Sequence, residues 1–283
     1  MSAISYVNGS YIAHNDAKVN IEDRGYQFAD GVYEVFAVID RKIVDYEGHL
    51  KRLYRSLKEI SLKSPIVYEA YLFHIRNLIR KNNIIDGLIY LQITRGVAQR
   101  DFKFPKNTKP SIVITAKNIS MEDYFSKFES GIKVKITKDL RWKRVDIKTL
   151  NLLPPVLAKQ KAAENGCEEA WMMDSEGYIT EGSSSNAWIL IKNKLITTPA
   201  TNSILKGITR TSLIKALNKK NINFIEERFN LEDIKKADEA FITSATQFVM
   251  PVVKIDKIKI NEGKVGKYAH IFKDAYMEAV QLK

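Results

Sequence analysis

The sequence predicts an α/β (α+β) protein built from two domains. Strand-like and helix-like segments alternate in two blocks, and a polar stretch over residues 117–124 separates the blocks. The composition, 45% hydrophobic and 28% charged, is that of an ordinary globular chain. We therefore place the boundary after residue 118, which gives domains over residues 1–118 and 119–283.

The first block opens with a hairpin. Asn8 and Gly9 lie between two short apolar stretches, and this dipeptide is typical of a tight β-turn. Leu50, Leu53 and Leu57 recur at helical spacing and predict a helix around them. In chain order, the predicted elements are strands over Ala3–Val7, Tyr11–His14, Val32–Asp40 and Ile43–Tyr46, helices over His49–Ile60 and Glu69–Asn82, and strands over Gly87–Arg95 and Ser111–Ala116.

The second block mixes the two types again. Its first helix is expected to stop at Gly166, because glycine readily adopts the left-handed conformation that ends helices. In chain order, the predicted elements are a strand over Ile132–Ile136, a helix over Asn151–Asn165, a hairpin of Glu169–Met173 with Tyr178–Glu181, paired strands Ala187–Ile191 and Lys194–Thr198, a helix over Ile208–Asn218, strands Ala240–Thr243 and Pro251–Ile255, and a helix over Gly266–Val280.

The net charge of +12 raises the question of nucleic-acid binding. The lysines and arginines are scattered, however, and their short clusters carry no nucleic-acid motif, so we predict no nucleic-acid partner. Mild attraction of small anionic substrates remains compatible with this charge.

Other bulk features narrow the class of protein further. No window approaches the roughly 18 apolar residues of a membrane helix, and the N-terminus has no signal-peptide pattern. The single Cys167 excludes a disulfide framework within the chain. We therefore expect a cytoplasmic protein without a membrane partner.

The sequence lacks the motifs of several common types of binding site. The sequence has no glycine-rich phosphate loop of the dinucleotide or P-loop type. The 4 histidines are isolated, without metal-ligand spacing, and we interpret them as surface or packing residues and expect no metal site. They are His14, His49, His74 and His270.

Lys148 is the first candidate for chemistry. It is expected at the start of the helix predicted over Asn151–Asn165, between the apolar residues Ile147 and Leu150. Apolar surroundings favour the neutral amine, which is the form that attacks a carbonyl carbon. In so basic a chain, a merely solvated lysine is the alternative interpretation.

Three further segments offer groups for a planar anionic ligand. Residues 180–186 combine a carboxylate with glycine and hydroxyl side chains, although a serine-rich surface turn would look the same. Residues 207–209 place glycine and threonine at a helix start, where free N–H groups favour phosphate, and an ordinary helix entry is the alternative. Residues 243–246 end a strand with small polar residues.

Together, in this order and spacing, these segments resemble the class IV aminotransferases, which use pyridoxal 5′-phosphate (PLP). The resemblance extends from Tyr6 to the closing helix. It implies the fold type IV architecture, with a smaller N-terminal α/β domain and a larger C-terminal pseudo-barrel domain, and PLP as the cofactor.

The resemblance also implies roles for individual residues. Lys148 matches the lysine that bonds to PLP and then moves the substrate's α-proton. Glu181 matches the carboxylate that faces the pyridine nitrogen, Arg52 the phosphate-binding arginine, and Leu205 the residue stacked on the cofactor ring. Ala245 stands where many members have a hydroxyl residue, so only its backbone could serve. The other residues implied for the cofactor are Ser184, Ser185, Asn186, Gly207, Ile208, Thr209 and Thr246.

The segments 25–35 and 94–100 look like those of D-amino-acid aminotransferases. In those enzymes a Tyr, an Arg and a His from the neighbouring subunit hold the substrate carboxylate. Tyr33 and Arg100 match the first two, and Val35 joins them as a predicted substrate residue. Phe102 stands where the His is expected, which removes one donor.

The resemblance therefore implies a homodimer with shared active sites. Its expected reaction moves the amino group of a D-amino acid, such as D-alanine, to a 2-oxo acid such as 2-oxoglutarate. A branched-chain L-amino-acid aminotransferase, an (R)-amine transaminase and an aminodeoxychorismate lyase remain alternatives within the family. A basic binding protein without enzymatic activity is the alternative outside it.

Overall fold

The structure, a computed structural model, describes residues 3–281 and divides into two compact units. The first unit ends at Ser120 and also includes Ile147–Asn151. The second unit begins at Met121 and holds the rest of the chain. The boundary predicted after residue 118 did not anticipate that a short later segment packs with the first unit.

The first unit carries two main helices and one antiparallel sheet. Across its described residues the strands pair in the order β2-β1-β6-β5-β3-β4. The elements are β1 (Ile4–Val7), β2 (Ser10–Ala13), α1 (Arg24–Phe28), β3 (Gly31–Ile39), β4 (Lys42–Ile43), α2 (Tyr46–Glu59), α3 (Tyr68–Lys81), β5 (Gly87–Thr94) and β6 (Ser111–Asn118).

The predicted hairpin and helices of this unit are present. Asn8 and Gly9 have φ values of 47° and 99°, as the tight turn between β1 and β2 requires. On α2, Leu50, Leu53 and Leu57 are buried against the sheet, as their spacing predicts. These side chains form one core with the inward residues of α3 and β5.

The second unit is built on a larger mixed sheet. Its strands pair in the order β12-β11-β10-β13-β14-β7-β8-β9, with β15 paired to β14, among the described residues. The elements are α4 (Met121–Ser130), β7 (Ile132–Lys138), α5 (Leu153–Glu164), β8 (Glu169–Met173), β9 (Ile179–Gly182), β10 (Asn186–Ile191), β11 (Lys194–Thr197), α6 (Ile208–Lys219), β12 (Phe224–Glu226), α7 (Leu231–Lys235), β13 (Glu239–Ser244), β14 (Phe248–Ile255), β15 (Ile258–Lys259) and α8 (Lys267–Ala279).

The end of α5 was predicted from the sequence, whereas α4 was not. Gly166 follows α5 with a φ of 65°, the left-handed conformation predicted for it. The polar segment over residues 117–124 instead includes the first turn of α4, a helix that buries Tyr124 and Phe128 one turn apart. Two apolar residues in a polar window are too few to reveal a helix by periodicity.

Over residues 3–281, none of the helices has the run of apolar residues that crossing a bilayer requires.

Candidate active site

Lys148 lies in a short irregular segment beside β3, within the first unit, where the N–H of Thr149 donates to the carbonyl of Ile147 at 2.8 Å. The Lys148 carbonyl accepts a hydrogen bond from the N–H of Tyr33 at 3.1 Å, and the N–H of Leu150 donates to the carbonyl of Gly31 at 3.1 Å. The prediction that this lysine begins a helix is wrong, because its neighbouring backbone groups bond to a strand and α5 begins only at Leu153.

The side chain of Lys148 is partly buried and lies on an aromatic ring. Its Nζ is 4.2 Å from the ring centroid of Tyr33. None of the salt bridges found over residues 3–281 includes Lys148. Its backbone N–H donates to Ser56 Oγ on α2 at 3.3 Å. An amine held this way remains available to a carbonyl carbon.

Arg52 of α2 is paired with a buried carboxylate on β3. Its Nε and Nη2 donate to the two oxygens of Glu34 at 2.7 and 2.8 Å. His49 Nδ1 lies 2.7 Å from Glu34 Oε2. Sequence reasoning singled out Arg52 and missed Glu34, whose only signal was a charge within an apolar strand; it read His49 as a packing residue.

Glu181 of β9 is the buried carboxylate of the second unit. It accepts hydrogen bonds from the Asn186 amide at 2.8 Å and the Leu205 N–H at 3.0 Å, and it also pairs with the Arg141 guanidinium. Burial raises the pKa of Glu181, and the charge of Arg141 partly offsets this. Every hydrogen-bond partner in this arrangement is a donor, which holds the carboxylate in one orientation.

Arg141, which follows β7, is a candidate site residue that sequence reasoning missed, because it pairs with Glu181. Its Nε and Nη2 donate to the two oxygens of Asp139 at 3.0 and 2.7 Å, while Nη1 reaches Glu181. Burial works against ionisation of Asp139, but the hydrogen bond and charge of Arg141 leave its pKa below the ordinary value. An Asp and an Arg two residues apart after a strand are too common to serve as a signal.

The serine hydroxyls after β9 all donate to one buried carboxylate, Glu169. Ser184 and Ser185 donate to it at 3.0 and 3.1 Å, and Ser183 does so as well. Lys159 of α5 completes the cluster at 3.3 Å. These hydroxyls therefore shape the turn itself, and the role of Ser184 and Ser185 toward PLP stays a prediction.

Asn186 joins Glu181 to the start of α6. Its amide also donates to the carbonyl of Leu205 at 2.9 Å. A Cβ at position 207 would lie 2.0 Å from Asn186 Oδ1, so only glycine fits there. Because Gly207 also lacks a capping side chain, the first N–H groups of α6, from Ile208 and Thr209, can meet an anion.

The last predicted cofactor residues lie in the turn between β13 and β14. Thr246 is exposed, with Oγ1 at 3.3 Å from Ser244 Oγ. Ala245 contributes no side-chain donor, as expected. The N–H of Gln247 donates to Ser244 Oγ at 3.0 Å, which closes the turn.

The predicted substrate residues fall into two groups. Tyr33 and Val35 share the less buried face of β3, and Tyr33 contacts Lys148. Arg100 and Phe102 lie in the exposed loop after β5; the Arg100 guanidinium is 4.6 Å above the ring of Phe28, which lies 5.5 Å from the Phe102 ring. No ring contact, ion pair or hydrogen bond among residues 3–281 links the two groups.

The chemistry of these groups fits PLP. An aldehyde requires an amine without a carboxylate partner, which Lys148 provides. A pyridine nitrogen suits a buried carboxylate such as Glu181. A phosphate suits the uncapped start of α6 behind Gly207 in the second unit, and a guanidinium such as that of Arg52 in the first unit is likewise suited to a phosphate.

Comparison with known proteins finds aminotransferases, both by family model and by sequence identity. The family model described as amino-transferase class IV matches residues 31–255. The D-alanine aminotransferase of Staphylococcus haemolyticus is 39% identical over 277 residues, which cover 98% of this chain and 97% of that protein. The D-alanine aminotransferase of Listeria monocytogenes is 41% identical over 261 residues, covering 92% and 90%.

Solved structures share the fold at lower sequence identity. The branched-chain amino acid aminotransferase of Escherichia coli superposes with a TM-score of 0.92 at 24% identity, over 99% of this chain and 95% of that chain. A hypothetical aminotransferase from Mycobacterium tuberculosis, in its PLP-bound form, superposes with a TM-score of 0.86 at 19% identity, over 98% and 99%. These scores confirm the predicted fold class.

Proposed function

Because this chain belongs to the class IV aminotransferases, a family that depends on PLP, we propose that it transfers the amino group of a D-amino acid such as D-alanine to a 2-oxo acid such as 2-oxoglutarate. The observation that carries this proposal is the 38–41% identity to D-alanine aminotransferases over nearly the whole chain. The branched-chain enzymes share the fold at only 22–24% identity.

Lys148 carries the proton transfer in this proposal. When bound, PLP supplies an electron sink for the negative charge that develops at the substrate's α-carbon. Lys148 is the residue that would hold the cofactor through its Nζ in the resting enzyme, and the freed amine would take the proton from the substrate's α-carbon. Its position on the Tyr33 ring, without an ion pair among the described residues, supports both tasks.

Glu181 and the start of α6 bind and orient in this proposal. Glu181 holds a proton on the pyridine nitrogen, and Arg141 fixes the plane of its carboxylate. Arg52, Thr246 and the N–H groups of Ile208 and Thr209 bind the phosphate. Leu205 packs on the ring face, which its hydrogen bonds to Glu181 and Asn186 support.

The substrate carboxylate is assigned to Tyr33 and Arg100, with Val35 and Phe102 beside the side chain of the substrate. The resemblance implies that Tyr33 acts on a neighbouring subunit together with Arg100 and the residue at 102, but Tyr33 contacts Lys148 of its own chain. We therefore expect only Arg100 and Phe102 to act on the substrate of a neighbouring subunit. The exposure of large apolar side chains in the first unit, 85% for Phe102 and 78% for both Ile21 and Tyr26, supports a homodimer that covers them. A fully active monomer would overturn this part. Cytoplasm is the proposed location.

A half-reaction screen tests the proposed activity. The PLP form is mixed with single D- and L-amino acids while its visible absorbance is followed. D-alanine is expected to bleach the band and release one pyruvate per site, and 2-oxoglutarate is expected to restore the band and yield D-glutamate. Reaction of L-leucine with no reaction of D-alanine would instead identify a branched-chain enzyme.

Two further outcomes separate the remaining alternatives. Release of pyruvate from aminodeoxychorismate without an amino acceptor would identify a lyase. A protein that is colourless, and stays colourless after PLP is added, would favour a basic binding protein.

A further inference from the structure

A buried carboxylate lies behind the arginine assigned to phosphate binding. Glu34 is 0% exposed in the middle of β3, beside the apolar Val32 and Phe36. Its oxygens accept from two nitrogens of Arg52, and His49 Nδ1 lies 2.7 Å from one of them. A buried charge lowers stability unless it is paired. We therefore expect a carboxylate at this position to have a role other than packing.

The charges of this cluster balance. Burial alone would raise the pKa of Glu34, but Arg52 and His49 lower it to about 2, so the carboxylate is ionised near neutral pH. Burial lowers the pKa of His49, which therefore stays neutral and donates its Nδ1 proton to Glu34. One negative and one positive group remain, joined by charge-assisted hydrogen bonds.

One face of α2 carries Arg52 and also contacts the backbone of Lys148. His49, Arg52 and Ser56 are three and four residues apart, which places them on one side of the helix. Ser56 accepts the backbone N–H of Lys148, while Glu34 engages the guanidinium one turn earlier. The orientation of Arg52 is thereby tied to the strand against which the Lys148 segment lies.

We propose that Glu34, assisted by His49, is a positioning residue that fixes the guanidinium of Arg52 for the phosphate of PLP. The proposal rests on the proposed function, in which Arg52 binds that phosphate. An arginine side chain has many rotamers, and a guanidinium held on two nitrogens has already lost that freedom. The entropy of the Arg52 side chain is therefore lost before phosphate binds, and this loss no longer lowers the affinity for phosphate.

The test compares PLP with pyridoxal, which lacks the phosphate. Glu34→Gln keeps the size of the side chain but removes its charge. The Kd for PLP, from a titration of visible absorbance, is expected to rise about tenfold, as for one lost charge-assisted hydrogen bond. The Kd for pyridoxal is expected to change by less than about twofold, since no phosphate is present to sense Arg52.

Further variants secure the interpretation. Glu34→Asp keeps the charge but moves it away from Arg52. The Kd for PLP should therefore again rise relative to the Kd for pyridoxal. Tyr71→Phe is the control, because it removes a buried hydrogen bond to Ser64 in the same unit without touching the cluster. In an Arg52→Met background, Glu34→Gln should add no further loss of PLP affinity.

The outcomes are distinct. If wild type binds PLP and neither Glu34 variant changes the ratio of the two Kd values, Glu34 has no positioning role. An equal weakening of PLP and pyridoxal would show a structural role alone and would also overturn the proposal. A wild-type protein that takes up neither compound would overturn the proposed function itself.

Discussion

Lys148 and Glu181 are held in opposite ways. Glu181 accepts hydrogen bonds from Asn186, Leu205 and Arg141, whereas the Lys148 amine rests on the ring of Tyr33. A group that must keep its charge and orientation gains from a dense set of partners. A group that must exchange partners during a reaction, as proposed for Lys148, gains from a weak contact of this kind.

Replacing Lys148 is expected to remove covalent attachment of the cofactor. Lys148→Ala should lower transaminase activity by at least about a thousandfold, since both the attachment and the α-proton transfer depend on the amine. Borohydride reduction followed by peptide mass spectrometry should find PLP on the Lys148 peptide of wild type. Finding the label on any other lysine would refute the assignment.

Phe102 is the residue at which substrate preference should respond. Phe102→His restores a donor next to Arg100 and should raise kcat/KM for D-alanine roughly fivefold, mainly through KM, because it adds a hydrogen bond to a charged group. The matched control is Phe104→His, since Phe104 is 57% exposed but packs on Arg95 instead. Equal effects of both changes would contradict this role.

At the scale of elements, the turn between β9 and β10 depends on Glu169. This carboxylate, 0% exposed on β8, receives the hydroxyls of Ser184 and Ser185. Glu169→Gln should lower the free energy of unfolding by about 2 kcal/mol, because the serine hydroxyls of the turn lose their hydrogen bonds to a charged acceptor. Urea unfolding followed by tryptophan emission measures the change.

Lys159→Gln provides the contrast for that measurement. Lys159 is 40% exposed and lies 3.3 Å from Glu169, so its loss should cost less than about 1 kcal/mol. A loss of similar size for both variants would mean that the ion pair, and not the serine turn, stabilises this region.

Elements with a clear period were predictable from sequence, whereas the pairing of side chains far apart in the chain was not. The leucines of α2 and the Asn8-Gly9 hairpin follow rules that involve only near neighbours in the chain. The pairings of Glu34 with Arg52 and of Glu181 with Arg141 join residues 18 and 40 positions apart, which no periodicity encodes. The helical start expected for Lys148 failed for the same reason, since a distant strand holds that segment.

At the scale of the whole molecule, acid should weaken the first unit through Glu34. Its pKa of about 2 in the folded chain lies below the ordinary 4.5, so its contribution is complete above pH 4.5 and is lost as pH falls toward 2. The shift corresponds to about 3 kcal/mol. Urea unfolding followed by far-UV circular dichroism should lose more stability between pH 5 and pH 3 in wild type than in Glu34→Gln.

The distribution of tryptophan supplies an internal control for that experiment. Trp142, Trp171 and Trp188 all belong to the second unit and are the 3 tryptophans of the chain. Their emission should change with pH in the same way for wild type and Glu34→Gln. A difference in emission would place the effect of Glu34 outside its own unit.

The segment Ile147–Asn151 has a consequence for how this protein can be divided. The chain leaves the second unit at Ile147, runs beside β3, and returns after Asn151. A gene fragment that stops at Ser120 would therefore encode the first unit without the stretch that carries Lys148. No single cut in the gene therefore separates the two units cleanly, and a cut after Ser120 leaves the lysine proposed to hold the cofactor on the same fragment as the second unit.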